Sequence, residues 1–130
     1  MPRHHVTLSP DGDCIIIALS GQRTEPAAQA ALIDVMALIE RTGLDRVLLD
    51  ARDCRSVQSP ERTMARALSA GRRIRKCRVA IIADRVEHAY PRIWRKGLEA
   101  SGHEAMVFTD VKAAEAWLFT DAEEATVYLS

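Results

Sequence analysis

The sequence predicts a single α/β domain built on a mostly parallel β-sheet, and three observations carry that expectation. Short apolar runs from Arg46 to Asp50, Arg78 to Ile82 and Ala105 to Phe108 are too brief for helices and suit strands buried on both faces. Between them stand segments with apolar residues at three-and-four spacing, the alternation that builds parallel sheets through crossover helices. The chain opens on two alternating stretches joined through Asp11-Gly12, a hairpin signal that adds an antiparallel edge strand. The expected order is β-β-α-β-α-β-α-β-α.

Each element has its own local reason. Val6 to Leu8 and Cys14 to Leu19 form the hairpin strands, and Ser20-Gly21 is expected to break the second. Thr24-Glu25-Pro26 reads as an N-cap followed by an early-turn proline, opening a helix to about Arg41. Ala28, Ala31, Leu32, Val35, Leu38 and Ile39 make its apolar side, and Gly43 lies where a C-cap belongs. After the strand ending at Asp50, a loop is expected to run to Ser59-Pro60-Glu61, a second N-cap with proline at the first helical position. Met64, Ala67, Leu68 and Ile74 supply that helix with an apolar side. A third helix covers roughly Glu87 to Ala100, with Pro91 in its first turn or at a kink and Ile93, Trp94 and Leu98 on one face. Thr109-Asp110 caps a last helix through Ala113, Ala114, Trp117 and Leu118. The tail from Asp121 to Ser130 holds Thr126-Val127-Tyr128-Leu129, read as an added edge strand or a disordered end.

At 130 residues the chain has the length of one domain, so residues 1–130 are read as a single unit with a core over about 6–119. Hydrophobic residues at 48% and charged residues at 28% exclude a disordered chain, and the longest apolar run, Ile15 to Leu19, excludes a transmembrane segment. The N-terminus carries no secretory pattern, and Cys14, Cys54 and Cys77 are odd in number and widely spaced. Reduced thiols and a cytoplasmic location are the expectation. Net charge is zero, yet residues 41–96 carry fifteen basic and six acidic side chains while residues 97–130 carry one and seven. Fifteen of the eighteen basic residues are arginine, a composition that favours forked ion pairs.

The element order, together with Val47-Leu48-Leu49-Asp50, the basic segment into Val79-Ala80-Ile81-Ile82, and the ending Met106-Val107-Phe108-Thr109-Asp110 with Ala114-Glu115-Ala116-Trp117-Leu118, resembles the SpoIIAA-like (STAS-type) family. The resemblance covers about residues 6–119. It implies a non-enzymatic binding or regulatory module, since anti-sigma-factor antagonists of this type bind a partner kinase and other members are linked to small hydrophobic or lipid-like ligands. It also implies a phosphorylatable serine at the start of the helix after the third strand. Here that stretch departs from the antagonists' Asp-Ser-[Ser/Thr]-Gly pattern, which leaves Ser56 and Ser59 as candidate phosphoacceptor or partner-contact residues. Ser59 has a plainer reading as a helix cap. An added phosphate there would meet a helix N-terminus with Arg52, Arg55 and Arg62 nearby.

No complete catalytic set is legible. Asp50 at a strand end lacks the further carboxylates that a magnesium-assisted phosphoacceptor needs, and the nucleophile elbow GxSxG is absent. Gly21-Gln22-Arg23-Thr24 stands where a phosphate loop would, but it has one glycine and reads as a turn. The four histidines lack zinc spacing, so no metal and no cofactor are expected. Two alternatives remain beside the binding module. One is a small hydrolase-like or thiol enzyme using the strand-end loop around Cys54 and Ser56, with Arg52 and Arg55 lowering the thiol pKa. The other is a nucleic-acid or acidic-lipid binder through the window from Arg72 to Arg78, with Arg72, Arg73 and Arg75 as anion contacts. That window has no interleaved aromatics, so nucleic acid is not favoured. Tyr90 and Trp94, one helical turn apart, are candidates for a pocket mouth or a dimer contact. The expected partner is a protein or a small apolar ligand, with a homodimer left open.

Overall fold

The computed structural model describes residues 2–120. It has the expected order of elements: β1 (Arg3–Leu8), β2 (Ile15–Arg23), α1 (Glu25–Thr42), β3 (Arg46–Ser56), α2 (Pro60–Arg73), β4 (Arg78–Ile82), α3 (Ala89–Ala100), β5 (Glu104–Phe108) and α4 (Val111–Leu118). The five strands lie in the order β1-β2-β3-β4-β5, with β1 antiparallel to β2 and every other pair parallel. The stretch from Thr126 to Leu129 lies outside the described residues.

The caps act as their chemistry requires. Thr24 accepts a hydrogen bond from the Ala27 N–H, Ser59 from Arg62 N–H and Asp110 from Ala113 N–H, each filling one donor that the first helical turn leaves open. Gly43 closes α1 at φ 75°, a left-handed conformation that costs glycine little. Pro91 falls in the first turn of α3, where its missing N–H breaks no helical bond.

Two strand ends differ from expectation. Ser20-Gly21 does not end β2, and Asp50 does not end β3, which runs to Ser56. The register between them shifts after Ala18, because Ala18 pairs with Asp50 but Ser20 pairs with Asp53, so β3 carries one extra residue. Gly21, at φ 77°, sits just beyond this irregularity and keeps β2 in the ladder, the usual role of glycine near a bulge. The extra residue moves the inward-facing set of β3 from Val47, Leu49 and Ala51 onto Cys54.

The sheet buries both faces. On one side Ile15, Ile17, Leu19, Leu49, Val79 and Ile81 pack with Val35, Leu38 and Ile39 of α1 and with Tyr90 and Leu98 of α3. On the other, Leu48, Ala80 and Ile82 pack with Ala114, Trp117 and Leu118 of α4. Each fully buried isoleucine or leucine contributes about 1.5–3 kcal/mol. Of the expected apolar side Met64, Ala67, Leu68 and Ile74, Ala67 is buried, and the rest of the buried stripe of α2 is Thr63, Ala70 and Gly71, smaller side chains than expected. The reason is close approach: a Cβ on Gly97 of α3 would collide with Ala67, and one on Gly71 with Ser101. His103 anchors the same corner, its Nδ1 accepting from the Cys77 N–H at 3.0 Å while Nε2 lies 2.7 Å from the Gly71 carbonyl oxygen.

Candidate functional site

The parallel strands end at one edge of the sheet, where α/β proteins commonly bind what they recognise. Two loops from neighbouring strands meet there: residues 57–59 between β3 and α2, and residues 83–88 between β4 and α3. They share a cleft of about 130 Å³ lined by Ser56, Gln58, Pro60, Thr63, His88 and Tyr90 among others. Val57 and Val86, one from each loop, are 74% and 67% exposed. Ser59 is exposed at the start of α2, and Ser56 is half-buried with its Oγ accepting from the Gln58 N–H at 3.3 Å. The His88 Nδ1 lies 2.9 Å from an Asp84 carboxylate oxygen.

Cys54 is not a loop residue. It is fully buried in β3, and burial pushes its thiol up to about 11 although Arg23 and Arg55 pull the other way. The desolvation of a thiolate outweighs two cations, so the expected activation by Arg52 and Arg55 fails. Arg52 is engaged elsewhere, forking onto the Asp50 carboxylate at 2.8 and 2.9 Å. That fork, ahead of burial, holds Asp50 below the ordinary carboxylate range.

The basic window lies at the opposite end of the sheet and is partly spent on the fold. Arg78 donates to the carbonyls of Trp117 and Thr120, pairs with Glu104 at 3.1 Å, and stands 4.8 Å from the centre of the Trp117 ring. Arg73 reaches Gln29 and Arg75 reaches the Leu44 carbonyl, both at 3.4 Å. Arg72 is exposed in the last turn of α2, where a cation complements the helix dipole.

Tyr90 and Trp94 lie side by side with ring centroids 6.3 Å apart. Both belong to the wall of an apolar cavity of about 90 Å³ enclosed by α1, α2, α3 and the sheet. Arg23 shares that wall, and sequence reasoning missed it by reading it as a turn residue. It is the last residue of β2 and only 2% exposed. A signal was available: continuing the inward alternation Ile15, Ile17, Leu19 by steps of two reaches Arg23.

Three parallel strand pairs and one antiparallel pair, with α1, α2 and α3 on one side and α4 on the other, define a small α/β domain, and two of its exposed apolar side chains, Val57 and Val86, stand on the carboxyl-edge loops. No group of three or more metal-binding side chains occurs among the described residues, and no helix there is long and apolar enough to cross a membrane. No protein-family model matches the chain, and no curated protein does. Solved structures do. An uncharacterized protein of the DUF3478 family from Shewanella loihica PV-4, described as having a SpoIIAA-like fold, is 18% identical with a TM-score of 0.60, over 90% of this chain and 93% of that one. An anti-sigma factor antagonist from Mycobacterium paratuberculosis is 12% identical with a TM-score of 0.65, over 92% and 96%. The chain therefore has the SpoIIAA-like fold.

Proposed function

We propose that this protein is a non-enzymatic regulatory module that docks a protein partner on the carboxyl edge of its sheet. The observation that carries the reading is the pair of exposed valines, Val57 and Val86, set on adjacent loops beside the N-terminus of α2. Apolar side chains held out to water on two neighbouring loops of one edge gain most by being covered. The likeness of the fold to an anti-sigma factor antagonist, a protein named for its action on another protein, supports the same reading. Ser59 sits at the centre of this edge. A phosphate on it would gain from the α2 dipole and would add about two negative charges to a surface that a partner must cover.

A photo-crosslinking residue placed at Val57, in cells of the native host, tests this. The expected result is one discrete protein adduct that disappears when Val86→Asp is added, with no adduct from the same residue placed at Arg72. Adducts of equal yield from both ends of the sheet, or none from Val57, would overturn the reading.

A further inference from the structure

Arg23 is a buried cation without a counter-anion. Its Nη1 donates to two neutral backbone carbonyls, Arg3 at 3.1 Å and Ser20 at 3.3 Å, and its Nε has no hydrogen-bond partner among the described residues. No carboxylate lies within 4.0 Å of it among those residues. Cys54, near enough for Arg23 to act on its ionisation, offers no negative charge, because burial keeps the thiol protonated. A guanidinium taken out of water costs several kcal/mol, and two long bonds to carbonyls offset little of that.

The surroundings state what is missing. The cavity beside Arg23 is walled by Leu19, Val35, Leu49 and similar side chains, so its interior suits hydrocarbon. The Tyr90 phenol stands in the same wall within reach of both Arg23 and the Trp94 indole, a neutral oxygen where a carboxylate would be the stronger acceptor, and the buried Trp94 Nε1 has no well-aligned hydrogen-bond partner among the described residues. A second, polar groove of about 420 Å³ lies between α1 and α2 and shares Ala28, Leu32, Ala70 and Trp94 with the cavity. It gives a way in. At about 90 Å³ the cavity is smaller than the roughly 150 Å³ apolar cavity that holds a benzene ring, so a longer tail must extend toward that groove.

We infer that the cavity between α1, α2, α3 and the sheet binds an apolar monocarboxylate, its carboxylate paired with Arg23 and its hydrocarbon tail among the side chains of α1 and the sheet. One guanidinium neutralises one charge, and its fork matches a carboxylate. A phosphate would bring a second charge and further oxygens into an apolar wall. The site is separate from the carboxyl-edge cleft, and neither reading depends on the other.

Calorimetric titration of the full chain with octanoate, octan-1-ol and octylamine decides it. Octanoate is expected to bind at least tenfold tighter than octanol, and octylamine not at all. Arg23→Met is expected to abolish the preference for octanoate over octanol while octanol binding changes less than twofold. Ala28→Trp, at a half-buried position shared by cavity and groove, is expected to weaken octanoate at least tenfold. If Arg23→Met does not fold, the octanoate-to-octanol ratio of the unaltered protein and the effect of Ala28→Trp decide alone. Failure of octanoate to bind, equal affinity for octanoate and octanol, or unchanged binding by Ala28→Trp would overturn the proposal.

Discussion

Two arginines, one on each side of the same sheet, are treated in opposite ways, Arg23 being buried and Arg78 half-buried. Arg78, beneath α4, is answered on every side by a carboxylate, two carbonyls and the face of Trp117. Arg23, among α1, α3 and β2, has two neutral carbonyls and the neutral Tyr90 phenol, an Nε without a partner among the described residues, and an apolar cavity next to it. The first pattern is that of a structural cation, which ties β4 to β5 and α4 through its own bonds. The second is that of a cation kept for something else, since a merely structural charge would be paired or replaced by a hydrophobe. An indole without a partner among the described residues does not alone make this distinction, because the Nε1 of Trp117 also has none there, in a packed core.

The α4 side should therefore respond to substitution through stability. Trp117→Ala removes the main anchor of α4 and the ring beneath Arg78. A loss of about 3–5 kcal/mol is expected in urea unfolding; a loss under about 1 kcal/mol would mean that α4 is held by something other than this core. Arg78→Met leaves the carbonyls of Trp117 and Thr120 without their donor, with an expected cost of about 2–3 kcal/mol. Ser59→Ala provides the scale of an ordinary cap, about 1 kcal/mol, with Ser59→Asp close to the unaltered protein because aspartate caps as well.

The side that holds Arg23 also has a signature in pH. Burial pushes the thiols of Cys54 and Cys77 from an ordinary 9.0 up to about 11. A folded pKa above the unfolded one means that the contribution is fully present below pH 9 and is lost as pH rises through about 11. The urea midpoint should fall across that window, and Cys54→Ala should flatten part of the fall. An identical profile for Cys54→Ala would place the alkaline loss in other groups.

Much of the fold was legible because its signals are local. Thr24, Gly43, Ser59 and Asp110 mark helix ends by capping chemistry that needs only neighbouring residues. The apolar runs at Val47 and Val79 announce central strands for the same reason. What escaped were the strand extensions through Ser20-Gly21 and through Arg52-Asp53-Cys54-Arg55. Those polar stretches are strands only because each pairs with the other across thirty residues of intervening chain, and a bulge then turns Cys54 inward. Arg23 was lost with them: a charged residue before a helix cap reads as a turn unless the strand is known to continue. Tyr90 and Trp94 were singled out by helical spacing, but their shared wall with Arg23 is a matter of tertiary placement.

Thermal unfolding of the unaltered protein and of Arg23→Met, each with and without octanoate, tests the contrast between the two arginines most directly. Without ligand, Arg23→Met should lie within about 1 kcal/mol of the unaltered protein or above it, since a poorly paired buried charge gives way to a hydrophobe. Octanoate at a hundredfold excess over its Kd should stabilise the unaltered protein by about 2.7 kcal/mol and leave Arg23→Met unmoved. An Arg23→Met variant as damaged as Arg78→Met, with octanoate shifting neither protein, would make Arg23 a second structural cation and contradict the account.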